Sequence, residues 1–498
     1  MIRSAGSVLW VAVLTLTGCS AAQIDEPETR TQDIVRRAPV AAPPVTTPRL
    51  PPMQRVTLDN GAVLQLAVKA DVPLVALSAS VRGGAVADPA NRAGLAAMTA
   101  ALLEKGAGSR DARALADAVA DVGGVLAAGA GRESARISAG FLAQDTELML
   151  ELVLDMLMAP AFTEEEFERA RTRSIESLKA ARDGDPRSLI GRYGQAFLFG
   201  DHPYGNAVSG TETSLAALSR DDVLAHYRSH YGPERLVITV VGDIDPAKVR
   251  ATLTRRLSGW REAGQPAPTI PAPRVTSSGQ VLLIDKPGAT QSYFWMGAPG
   301  VARNDDREAA IDVANTLFGG RFTSLLNTAL RVESGLTYGA GSRLSRLSQP
   351  GSVAIVSFTA TADTRAAMDL ALDVLDRFKE GDIEPALLAS ARTYLRGQSP
   401  LDFETASQVA GTLTSLAFYG QSVDAVDGYD AAVAGVDADA LNAVIKSVYP
   451  DRTGLTTVVI GDAKAIREDV ARYGEVTVMP ITAPAFRPGN ARPNGAWD

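Results

Sequence analysis

The chain has 498 residues, 46% hydrophobic and 21% charged, a globular composition with length enough to bury a large core without covalent staples. A formal charge of −8 and the lack of any long basic run argue against a nucleic-acid partner. A single cysteine excludes an intramolecular disulfide and a four-cysteine metal centre, and only His202, His226 and His230 could give a metal site imidazoles.

At the start of the chain Arg3 precedes an apolar run from Val8 to Leu16. The run is shorter than the about 20 apolar residues that a membrane-spanning helix needs, and it fits the hydrophobic region of a secretory leader. It closes on Leu16-Thr17-Gly18-Cys19, which resembles the bacterial lipobox, and Cys19 is the sole cysteine. The expectation is a lipoprotein signal over residues 1–19, with acyl chains on Cys19 anchoring the protein at about 0.8 kcal/mol per buried CH₂. Ser20 follows where an aspartate would favour the inner membrane, so the resemblance points to the outer membrane and a periplasmic location. The alternative is a plain signal peptide with an incidental cysteine. Residues 20–52 are rich in Pro, Ala, Thr and charge and are expected to form an extended tether.

In the body, Val56 to Val68 alternates around Asn60-Gly61, a hairpin signal. Leu74 to Val81 predicts a strand and Ala93 to Leu103 a helix. Thr163 with Glu166 three residues later predicts a capping box, opening a helix that runs through Ile175 and Leu178 toward Pro186. The run Leu236 to Gly242, ending in Gly-Asp, predicts a buried strand, and Leu455 to Gly461 repeats it. Each copy follows a helical stretch ending in an aromatic and a proline: Tyr231-Gly232-Pro233 and Tyr449-Pro450. A repeat this long predicts two similar domains, 53–260 and 279–480, joined by a Pro-rich linker over 261–278 and followed by a tail, 481–498. The expected fold class is α+β: two homologous domains related by internal duplication, each a mostly antiparallel sheet covered by helices.

Several local motifs occur in a fixed order. They are Asp59-Asn60-Gly61, Arg82-Gly83-Gly84 before Asp88-Pro89, Gly94-Leu95-Ala96, His202-Pro203-Tyr204-Gly205 and Asp285-Lys286-Pro287-Gly288 before Gln291-Ser292. Phe318-Gly319-Gly320 and the stretch Arg331 to Tyr338 follow. Together these resemble the pitrilysin/insulinase (inverzincin) zinc peptidases, which include the mitochondrial processing peptidase. In that family a His-x-x-Glu-His helix after Gly-Leu-Ala binds one zinc, its glutamate activates water, and a glutamate on a later helix completes the site. Here Ala97 and Ala101 fall at the histidines, Ala100 at the catalytic glutamate and Ser177 at the second glutamate, with Glu176 the alternative if the alignment slips by one. Alanine has no lone pair to donate, so the resemblance implies no metal and no cofactor in this chain.

His226 and His230, spaced i, i+4, offer another possible pair, but no glutamate lies between them and a surface helix end explains them better. Glu164-Glu165-Glu166 is expected to be a solvated first turn. Arg331 and Tyr338 match a substrate-contacting pair of the family, a guanidinium to grip peptide and a hydroxyl for an oxyanion. The structural alternative pairs Arg331 with an acid and packs Tyr338 at a strand start. Some bacterial members divide these parts between two chains. The implied function is therefore that of the non-zinc subunit of a heterodimeric periplasmic metallopeptidase, inactive alone. Its expected partners are a zinc-bearing homologous subunit, a peptide substrate and a membrane. A non-enzymatic peptide-binding or scaffold protein is the second possibility, and a standalone hydrolase with relocated ligands the third.

Overall fold

The protein is described by a computed structural model covering residues 50–274 and 277–489. The leader with Cys19, most of the tether and the last nine residues lie outside the described residues. Two six-stranded sheets organise the described chain. The strands are β1 (Met53–Thr57), β2 (Val63–Val68), β3 (Leu74–Arg82), the two-residue pair β4 (Gly106–Ala107) and β5 (Arg110–Asp111), β6 (Val125–Ala130), β7 (Ser134–Leu142) and β8 (Leu236–Gly242). The second half adds β9 (Gln280–Asp285), β10 (Gln291–Pro299), β11 (Ala340–Ser345), β12 (Ser352–Ala360), β13 (Thr456–Gly461) and β14 (Glu475–Pro480). Five helices carry the argument: α1 (Leu95–Leu102), α2 (Glu164–Gly184), α3 (Ile190–Phe199), α4 (Arg220–His230) and α5 (Ala406–Tyr419).

The first sheet has the order β1-β2-β8-β3-β7-β6 and the second β11-β12-β10-β13-β9-β14. Five strands correspond between them. Both sheets are mostly antiparallel, each with a parallel pair at the repeated strand: β2 with β8, and β9 with β13. The sixth strand differs. β1 joins the first sheet antiparallel through the Asn60-Gly61 turn, whereas β14 joins the second parallel to β9. Gly61 takes φ +86, and a Cβ there would press on the Glu234 backbone, so the turn needs glycine on both counts.

β8 and β13 are buried at every position, as their unbroken apolar runs require of strands covered on both faces. The outer cover comes from the opposite half. α5, from late in the chain, lies on β3 and β8, where Val409, Ala410 and Leu413 close a small core with Ala67, Ala76 and Val241. A buried hydroxyl chain runs through this contact: Thr414 Oγ1 donates to Thr239 Oγ1 at 2.8 Å, which donates to Gln65 Oε1 at 2.9 Å. In return α3 of the first half lies on β10 and β13, with Gly194 against the Trp295 indole. The exchange welds both halves into one compact unit.

Candidate active-site cleft

α1 stands where the resemblance puts the metal helix. Gly94 precedes it at φ +92, and the buried Asp88 holds its first turn, Oδ2 accepting from Gly94 N and Oδ1 from Ala96 N, both at 2.8 Å. Burial pushes the Asp88 carboxyl up to about 7 against the pull of those backbone donors. Ala97 and Ala101, one turn apart, share a half-exposed face, while Ala100 points into the core and is fully buried.

α2 packs against α1. Thr163 caps it, its Oγ1 accepting from Glu166 N at 3.4 Å, but the expected reciprocal bond is missing because Glu166 pairs with Arg169 instead, at 3.1 Å. Glu164 and Glu165 are exposed in that first turn. Further along, Leu178 is buried, Ser177 is exposed, and Glu176 is exposed and tied to Lys179 at 3.1 Å. Two methyl groups and a hydroxyl stand at Ala97, Ala101 and Ser177, where the resemblance expects ligands, with Glu176 as the alternative to Ser177. Among the described residues no group of three or more His, Cys, Asp or Glu could hold a metal ion. The residues present do not fit a zinc ion, which needs several anionic or imidazole donors.

His226 and His230 lie at the end of α4 as expected, but His226 is not on the surface. His226 is 5% exposed, and its ring lies 4.6 Å from that of His230. Burial, then the neighbouring His230 and Arg235, depresses His226 to about 3; burial and Arg235 depress His230 to about 4. Arg235 Nη1 sits 3.1 Å from His230 Nδ1. A guanidinium against the pair opposes any cation there. His202 caps the turn at Pro203, its Nδ1 accepting from Tyr204 N at 3.1 Å.

In the second half the structure brings Arg331 and Tyr338 together. The guanidinium carbon lies 4.4 Å from the centre of the Tyr338 ring and 4.8 Å from that of Phe322. Tyr338 is 75% exposed, so it is not packed at a strand start, and no acid pairs with Arg331 among the described residues. No hydrogen bond, ion pair or ring contact among the described residues joins this group to α1 or α2. Nearby, a cavity of about 1150 Å³ opens between residues 185–195 and the β11–β12 edge, with Arg187, Gln195, Trp295, Arg343 and Phe358 in its wall.

Glu133 and Phe322 escaped the sequence reading. Glu133, 4% exposed, accepts from Tyr204 Oη at 2.6 Å, Tyr419 Oη at 3.0 Å and Ser348 N at 3.1 Å. It thereby ties the β6–β7 turn to the His-Pro-Tyr-Gly segment, α5 and the β11–β12 loop. Burial of Tyr419, then the charge and hydrogen bond of Glu133, pushes its hydroxyl up to about 12. Nothing in Gly131-Arg132-Glu133-Ser134 marks it, because its partners lie as far as 286 residues away. Phe322 follows the noticed Phe318-Gly319-Gly320 motif and was legible only as one aromatic near it.

A family model described as insulinase (peptidase family M16) matches residues 66–212, and one described as the peptidase M16 inactive domain matches residues 217–395. An uncharacterized zinc protease of Streptomyces coelicolor is 30% identical over 332 residues, 66% of this chain and 71% of that protein. The chain belongs to the insulinase (M16) peptidase family. A second zinc protease, from Mycobacterium leprae, is 30% identical over 53% of this chain and 60% of its own length. Among solved structures, an M16 inactive domain from Pseudomonas fluorescens shares the fold with a TM-score of 0.76 at 21% identity, covering 82% of this chain and 97% of that one. A Helicobacter pylori protease gives 0.74 at 20% identity over 82% and 100%. The periplasmic protease PqqL of Escherichia coli gives 0.70 at 16% identity, over 83% of this chain and 46% of PqqL. This M16 chain is thus peptidase-like in fold, and Ala97, Ala100 and Ala101 of its α1 have no donor atom to offer a metal.

Proposed function

We propose that this chain is the zinc-less subunit of a heteromeric M16 metallopeptidase, supplying Arg331 and Tyr338 to a peptide held by a zinc-bearing homologue. The observation that carries this is the asymmetry between the two halves. Ala97 and Ala101 of α1 present methyl groups where the resemblance expects ligands, while Tyr338 is exposed and the partly buried Arg331 lies against its ring with no acid paired to it among the described residues. In this proposal acyl chains on Cys19 hold the complex at the periplasmic face of a membrane, and residues 53–260 and 279–480 are its two homologous domains. The peptide-holding alternative is favoured by the 1150 Å³ cavity, which could retain a chain segment without cleaving it.

The two possibilities separate in a reconstitution with a homologue bearing an intact His-x-x-Glu-His. The mixed complex should cleave a peptide that neither chain cleaves alone. Arg331→Ala or Tyr338→Phe should lower kcat/KM about tenfold or more, the loss of one transition-state hydrogen-bond donor, with assembly by size exclusion unchanged. Full activity in both variants contradicts the role given to this pair.

A further inference from the structure

We propose that Phe322, Arg331 and Tyr338 form one clamp that selects a carboxylate on the bound peptide, with Phe322 as its positioning residue. The inference deepens the proposed function, since it concerns the same site, and adds a residue and a ligand class.

The guanidinium lies within stacking distance of two rings, 4.8 Å from the Phe322 centroid and 4.4 Å from that of Tyr338. With two rings beside it, what it offers a ligand is its N–H donors. No hydrogen-bond acceptor or ion-pair partner for those donors is found among the described residues, although acids outnumber bases in the chain, 57 to 49. The second arginine of this region behaves differently: Arg321 donates to Ser390 Oγ at 3.0 Å and lies over Tyr394.

The rings themselves are poorly covered. Phe322 is 61% exposed, Val332 63% and Tyr338 75%, three large apolar side chains in one short stretch. Exposed aromatic and arginine side chains grouped this way are typical of a recognition surface. The cluster also borders the cavity by chain continuity. Gly320 and Gly339 line it, two residues before Phe322 and one after Tyr338. A planar guanidinium matches a carboxylate in bidentate geometry, and the apolar side chains beside it suit an aliphatic neighbour on the same peptide. The chain's net charge of −8 repels an acidic peptide at long range, so selection must come from this local contact.

The carboxylate could be an acidic side chain or the peptide's C-terminus, and the test distinguishes them. The probe is a fluorescein-labelled octapeptide of alternating alanine and leucine with one central glutamate and a free C-terminus, titrated into the full chain by fluorescence anisotropy at low salt. Replacing the glutamate by glutamine, or amidating the terminus, should weaken binding about tenfold or more for whichever carboxylate is gripped. Arg331→Lys should weaken it similarly, because an ammonium neither stacks nor forks. Phe322→Ala should weaken it several-fold while Phe322→Tyr restores it, with unchanged melting temperatures because the side chain is mostly exposed. Absence of binding by the octapeptide, equal binding after both carboxylates are neutralised, or an unaffected Phe322→Ala variant each overturns the clamp. The assay contains no zinc subunit. Binding without cleavage in a mixed complex would therefore refute the partnership alone, and cleavage without carboxylate dependence would refute the clamp alone.

Discussion

Ala97, Ala100 and Ala101 share a helix but not an environment. Ala97 and Ala101 are half-exposed, so imidazoles could replace their methyl groups, and Ser177 is exposed on the adjacent α2; Ala100 is fully buried. The triple change Ala97→His, Ala101→His, Ser177→Glu should leave stability within about 1 kcal/mol and create zinc binding detectable by titration calorimetry. Adding Ala100→Glu should cost several kcal/mol more, about 3 or above, because it forces a charge and four extra heavy atoms into a packed core. Equal stability of the two designs would show that the burial of α1 is misjudged.

His226 gives a pH signature at the same scale. Burial keeps it neutral down to about 3 in the folded protein, whereas the unfolded chain takes up the proton near 6.5. Its contribution is therefore intact above about pH 6.5 and lost as the pH falls toward 3. His226→Leu should lose less stability than the parent between pH 7 and pH 4.5, by about 2–3 kcal/mol in urea denaturation. Parallel losses in the two proteins would place the imidazole in contact with water.

Among the elements, those set by near neighbours in sequence were legible. The Asn60-Gly61 hairpin, β3, α1 and the paired Gly-Asp strands follow from turn chemistry and apolar runs that act locally. α5 was not legible as a lid, because its place depends on Ala67, Ala76 and Val241, more than 160 residues earlier in the chain. Nor could periodicity reveal that His226 points inward, since α4 has a mostly polar sequence. The exchange of helices makes Gly194 a sensitive point. A Cβ there would drive into the Trp295 indole, so Gly194→Ala should destabilise the protein by about 1–3 kcal/mol despite its better helix propensity. Trp295→Leu, by opening space, should relieve part of that penalty in a double-mutant cycle; strict additivity would show that the two do not meet.

At the scale of the molecule, duplication gave two sheets with different fates. The first carries α1 with alanine at 97, 100 and 101, and the second gathers Arg331, Tyr338 and Phe322 into one group. The alanines of α1 were readable because residue identity is visible in one dimension. The Glu133 junction was not, because it assembles four segments that are adjacent only after folding. Elemental analysis of the purified full chain, paired with a peptide-cleavage assay, bears most directly on the whole account. Zinc should be far below one ion per chain after dialysis, with no cleavage by the chain alone; one tightly held zinc ion and chelator-sensitive proteolysis from this single polypeptide would contradict it.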